Sequence, residues 1–107
     1  MTNGQFTPRY KLIISYNIVG ETNDVYFQFV TQEFVPRLQG MGIHLFRVYN
    51  TEWGDYPMRQ VEFLSEQLET IREAMSSTTW QRLVTRLENF VTDFSTKVIV
   101  FRHGFQL

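Results

Sequence analysis

Asn17, Arg47, Tyr49, Glu62 and His103 are the side chains of this sequence whose types and spacing could do chemistry, because strand alternation sends them toward a common sheet face. A guanidinium such as that of Arg47 can grip a carboxylate or an enolate through parallel donors. Glu62 or His103 could then move a proton, since imidazole titrates near neutrality and a carboxylate can be tuned toward it. Asn17 offers a donor and an acceptor for orienting a ligand, and Tyr49 with Trp53 offers flat surfaces for an aromatic one. Each has a plainer role as well. Glu62 lies mid-strand, where a carboxylate is costly unless paired, and Arg47 on the neighbouring strand is its natural cross-strand partner. His103, near the chain end, can be satisfied by solvent or a partner subunit, and Tyr49, Trp53 and Tyr56 can pack a dimer.

Other chemistries are excluded more firmly. There is no cysteine among the 107 residues, which removes disulfides, thiolate nucleophiles, thiolate metal sites and iron–sulfur clusters. The only histidines are His44 and His103, expected on opposite sides, so no metal site is expected. Gly40-Met41-Gly42 is a helix stop and not a phosphate loop, and no Ser–His–acid array can be placed. A formal charge of −1 without a Lys/Arg cluster leaves no footprint for nucleic acid. The longest unbroken aliphatic or aromatic run, Val98 to Phe101, is far short of a bilayer span, so a cytoplasmic protein with no membrane contact and no cofactor is expected.

The elements that must position these residues read as strand, helix, strand, twice over. Met1 to Pro8 is a polar lead-in to a single domain covering residues 1–107. Tyr10 to Ile18 alternates as a strand, with Leu12, Ile14 and Tyr16 on one side and Ser15 and Asn17 on the other. A helix capped by Thr22 or Asn23 carries Phe27, Val30, Phe34 and Leu38 as its apolar stripe, with a kink expected at Pro36. Ile43 to Trp53 and Met58 to Leu64 form a hairpin about Gly54-Asp55-Tyr56-Pro57. Ser65 to Ser77 is helical, and a second helix runs from Trp80 to Phe94, capped by Thr78 or Thr79. Lys97 to Phe105 is the last strand.

Right-handed crossovers place both helical segments on one face of a four-stranded antiparallel sheet, an α+β, ferredoxin-like βαββαβ sandwich. Parity assigns Leu12, Ile14, Tyr16, Phe46, Val48, Val61, Phe63, Val98 and Val100 to the helix side. The opposite set is Ile13, Ser15, Asn17, Leu45, Arg47, Tyr49, Gln60, Glu62, Ile99, Phe101 and His103, too apolar for water and too polar for a plain core. Ten Phe, five Tyr and two Trp exceed what one thin core needs, so a homodimer joined through this face is expected. One bulge would invert part of the assignment.

The strand Tyr10 to Ile18, the aromatic hairpin Ile43 to Leu64, the helix opening Thr78-Thr79-Trp80 and the run Asp93-Phe94-Ser95-Thr96-Lys97-Val98-Ile99 resemble the dimeric α/β-barrel superfamily over nearly the whole chain. That superfamily includes cofactor-free antibiotic-biosynthesis-type monooxygenases, haem-degrading and other haem enzymes, muconolactone isomerases and NIPSNAP-type proteins. The resemblance implies a homodimer with a small hydrophobic or aromatic ligand in the barrel, and oxygenase or isomerase chemistry with Asn17, Arg47, Tyr49 and Trp53 around the ligand. Haem is disfavoured, because haem-degrading members need a histidine on the second-half helix and none lies between Phe46 and Arg102. The alternative is a non-catalytic structural or interaction protein whose open face is filled by its partner.

Overall fold

The computed structural model describes residues 6–19, 23–51 and 58–102. Strand β1 (Tyr10–Ile18) leads to helix α1 (Asn23–Phe29), a wide π turn (Val30–Phe34) and helix α2 (Val35–Gly40). Strands β2 (His44–Thr51) and β3 (Met58–Ser65) follow, then helices α3 (Leu68–Met75) and α4 (Thr78–Leu87) and strand β4 (Val91–Val100). The sheet order is β2-β3-β1-β4 with every pairing antiparallel, as expected of a ferredoxin-like α+β fold. Within one chain the sheet is open and not closed into a barrel.

Leu12, Ile14 and Tyr16 of β1 and Val61 and Phe63 of β3 pack under Tyr26, Phe29, Phe34, Leu38, Ile71, Trp80, Leu83 and Leu87 from the helices. Burial of this kind stabilises by about 25 cal/mol per Å² of apolar surface removed from water. The expected kink at Pro36 is a π turn: the amide of Val35 donates to the carbonyl of Val30, and the widened turn makes room for a ring that would otherwise clash one turn back. Helix α4 is capped by Ser77, one residue before the expected threonines, its Oγ accepting from the Trp80 amide at 3.1 Å. Phe27, expected in the first helical stripe, is 61% exposed, and Tyr26 is buried in its place.

Local features depart from the expected pattern in β2 and at the junction of α4 and β4. In β2 the register shifts between Leu45 and Arg47, so that Leu45 pairs with Phe63 and Arg47 with Glu62, leaving Phe46 as the extra residue. The bulge moves Phe46 onto the open face and Leu45 onto the helix side, the reverse of the parity assignment, while Val48 stays on the helix side opposite Val61. His44 pairs with Leu64, in the row of Lys11, and so joins the open face. Finally, helix α4 stops at Leu87 and β4 begins at Val91, well before the expected boundary. A second bulge at Asp93, with φ of 55°, puts the Asp93 carboxylate on the open face beside Asn17, while Phe94 packs against Trp80. The apolar residues that prolonged the helical spacing are thus used by a strand rich in β-branched side chains. Val98 and Val100 keep helix-side parity, across from Leu12 and Tyr10, but stay more than a third exposed.

Candidate functional site

On the open face the register stacks side chains in rows. Ile13, Glu62 and Arg47 form one row across β1, β3 and β2, with Ser15, Gln60 and Tyr49 on one side of it and Lys11, Leu64 and His44 on the other. Glu62 is the hub. Its Oε1 accepts from Arg47 Nε at 2.8 Å and lies 3.0 Å from Lys11 Nζ, and its Oε2 accepts from Gln60 Nε2 at 2.8 Å. No helix covers this face, yet Glu62 is only 3% exposed because its neighbours close over it. Burial pushes the Glu62 carboxyl up, but the hydrogen bonds from Arg47, Lys11 and Gln60 outweigh it and hold the group below the usual carboxylate range. The bond to Glu62 in turn raises Arg47.

Aromatic rings frame the cations. The Arg47 guanidinium lies 4.7 Å from the Phe46 ring centroid and 4.9 Å from that of Tyr49. Lys11 Nζ lies 5.5 Å from Phe46 and 5.4 Å from Phe101, so the Phe46 ring is shared by the two positive charges. The bulge makes this arrangement possible, since without it Phe46 would point to the other side.

The helix side carries a second group of polar residues. Tyr16, Arg59 and Asn50 form a row across β1, β3 and β2 at the end of the core face, next to the apolar row Ile14, Val61, Val48. Arg59 donates from Nε to Asn50 Oδ1 at 2.8 Å and from Nη1 to the Tyr26 hydroxyl at 3.1 Å. The hydroxyls of Tyr26 and Tyr16 are 2.5 Å apart. Burial, reinforced by Tyr26 and partly offset by Arg59, pushes the Tyr16 phenol well above its ordinary range, so it remains protonated. Beside this group lies a chamber of about 490 Å³, half open to solvent, with Val30, Thr31 and Val35 above, Leu45, Val48 and Val61 below, and Tyr26, Phe27, Asn50 and Arg59 at one end; Leu45, Val48 and Phe27 are each at least 40% exposed. A second cavity of about 430 Å³ adjoins it at Tyr26, Phe27 and Arg59, adding Asp24 and Gln28.

The expected site residues are divided by this geometry. Arg47, Tyr49 and Glu62 come together on the open face. Asn17 lies on the same face but in a different row, opposite Met58, where its Nδ2 donates to Asp93 Oδ2 at 2.8 Å. Strand spacings separate it from Arg47 by roughly 15 Å at the backbone. Trp53, Tyr56 and His103 lie outside the described residues. Lys11, Arg59 and Tyr26 are the members that sequence reasoning missed. Their signals were a lysine two residues along from the residue opposite Glu62, and a polar row on a face otherwise given to the core. Among the described residues no group of three or more acidic or histidine side chains is placed to hold a metal ion, and no helix is long and apolar enough to cross a membrane.

No protein-family sequence model matches the chain, and no curated protein matches it by sequence. Solved structures do. A NIPSNAP family protein from Agrobacterium tumefaciens is 16% identical with a TM-score of 0.63, covering 85% of this chain and 90% of that one. A dimeric ferredoxin-like protein from an uncultured marine organism is 14% identical with a TM-score of 0.59, covering 94% of each chain. An antibiotic biosynthesis monooxygenase-like protein from Deinococcus radiodurans is 10% identical with a TM-score of 0.70, covering 92% and 97%. With identities this low the likeness concerns the backbone, and together with the strand order it establishes that this chain has the ferredoxin-like fold shared by NIPSNAP and monooxygenase-like proteins.

Proposed function

We propose that the protein is a homodimer joined through the open sheet face, and that each copy holds a small apolar molecule in the chamber on its helix side. The chamber carries the ligand part of this reading. Its volume of about 490 Å³ falls within the range of small-molecule sites, and apolar walls with a few polar groups gathered at one end are their usual lining. Of the expected ligand residues, Arg47 is engaged with Glu62 and Phe46 and Tyr49 with Arg47, which favours the open face as a surface for a partner and the helix side as the place for a ligand.

The dimer reading rests on Phe46, Tyr49, Met58 and Ile99, each at least 36% exposed around an ion-paired centre. A second copy would cover this apolar frame with Glu62 already ion-paired, and the one positive charge left over from Arg47 and Lys11 would have to be met by the partner or kept at the wet rim. The solved neighbour described as dimeric supports it. Oxygenase or isomerase chemistry would be the enzymatic form of the reading, with Tyr26 and Arg59 at hand to polarise the ligand. A purely structural role is favoured by one observation, the closed hydrogen bonding of Glu62.

The test combines sedimentation with binding of Nile red, a neutral apolar dye. A dimeric mass is expected, with a blue-shifted, enhanced dye signal that Val48→Trp abolishes by filling the chamber and that Tyr49→Ser on the open face leaves intact. A monomer would overturn the dimer, and a dye signal indifferent to Val48→Trp would overturn the chamber.

A further inference from the structure

We infer that the chamber takes a molecule with a carboxylate head and an apolar body, the carboxylate seated on Arg59; this rests on the reading of the chamber as a ligand site. Four observations point there. First, Arg59 is a half-buried cation on the core-facing side of the sheet, at the end of an apolar space and where that space meets the second cavity. A guanidinium drawn from bulk water in such a place gains most from an anion.

Second, both described partners of Arg59, Asn50 Oδ1 and the Tyr26 hydroxyl, are neutral acceptors, and among the described residues no carboxylate lies within ion-pair distance of it. Arg47, Lys11, Arg72 and Arg86 are each paired with Glu62, Glu69 or Glu33. Two donors of Arg59 are used, and the remaining guanidinium N–H groups have no described partner.

Third, the guanidinium is held in place before any ligand arrives. Asn50 fixes its Nε side, the Tyr26 hydroxyl fixes Nη1, and the Tyr26 ring lies 5.4 Å from the guanidinium carbon. Tyr26 is itself fixed by Tyr16. A cation oriented in this way loses little side-chain freedom on binding, and its planar fork suits a carboxylate better than a compact ammonium would.

Fourth, the walls beyond Arg59 are Val30, Val35, Leu45, Val48 and Val61, with Phe27 at the same end as the cation. They offer nothing for a second charge. An acid with a hydrocarbon or aromatic body fits this division, whereas a neutral hydrocarbon would leave Arg59 without its anion and a dianion would leave one charge among valines.

Decanoate and decanamide, which share a body and differ in the head, separate the alternatives when each competes with Nile red on the intact protein. Decanoate is expected to displace the dye at a concentration lower by about tenfold or more. Arg59→Met should abolish that preference, bringing decanoate and decanamide to equal displacement, and Arg59→Lys should restore part of it. Equal displacement by the two ligands would overturn the carboxylate inference and leave the chamber standing. A preference that survived in Arg59→Met would overturn Arg59 as the anchor. Failure of Nile red to bind would overturn the chamber reading, and this inference with it.

Discussion

Arg59 donates to the Tyr26 hydroxyl across 3.1 Å although 33 residues separate them in the chain. The contact ties β3 to α1 at the polar end of the core, and through Tyr26 it reaches Tyr16 on β1. Two strands and a helix therefore meet at one phenol oxygen, and two of these elements, α1 and β3, also wall the chamber.

The Tyr16–Tyr26 pair should behave as a unit. Tyr26→Phe removes the partner of a buried phenol and one support of Arg59, and is expected to cost about 1–3 kcal/mol. Tyr16→Phe alone should cost less than this. The double variant should cost less than the sum of the two by at least about 0.5 kcal/mol, because it leaves no tyrosine hydroxyl orphaned. Urea unfolding of the four proteins closes the cycle, and additive costs would mean that the hydroxyls are not coupled.

Glu62 should make stability depend on acid. Its folded carboxyl titrates below the ordinary range, so its contribution is complete above the unfolded value of about 4.3 and is lost as pH falls through the lower folded value. Glu62→Gln strands Lys11 and Arg47 near neutrality and is expected to cost on the order of 2 kcal/mol there. The difference between the two proteins should shrink on acidification to about pH 3. Thermal unfolding across that range measures it, and a constant difference would show that the carboxylate charge contributes nothing.

Gly40 and Gly42 are separated by one residue and should respond in opposite ways to alanine. Gly42 has φ of +87°, and a Cβ there would meet Thr70 Cγ2 at 3.0 Å. Gly42→Ala is expected to destabilise by about 1–2 kcal/mol. Gly40 ends α2 with nothing within 4 Å of a Cβ, so Gly40→Ala should be neutral or stabilising by up to about 0.5 kcal/mol. Melting temperatures of the two variants decide it, and equal losses would contradict the local geometry.

Where alternation was regular, the sequence was enough. Leu12, Ile14 and Tyr16 fixed the buried side of β1, and Trp80, Leu83 and Leu87 fixed the buried side of α4. It failed where two geometries satisfy the same residues. Phe90, Val91 and Phe94 continue the helical spacing, but Val91 pairs with Ile18 in the sheet and the bulge at Asp93 still lets Phe94 reach Trp80. Phe46 changed faces for a similar reason, because an extra residue in one strand leaves no mark on composition.

For the candidate site, the Arg47–Glu62 pair followed from neighbouring strands alone, since residues of matching parity on a hairpin face one another. The helix-side group did not. Tyr16 was read as core, which its burial supports, but its hydroxyl needs a partner, and that partner comes from Tyr26 on a helix whose rotation the stripe through Phe27 misjudged. Arg59 stands near the start of its strand, where a charged residue is ordinary, and only the register that sets it beside Tyr16 and Asn50 reveals a cation on the core face.

Whether the ligand lies between the helices and the sheet is tested most directly by a methyl-resolved NMR titration of the protein with decanoate. Shifts are expected to concentrate on Val30, Val35, Leu45, Val48 and Val61, with Ile13 and Ile99 on the open face unmoved. Shifts at Ile13 and Ile99 with the valines of the chamber silent would contradict it and return the ligand to the open face.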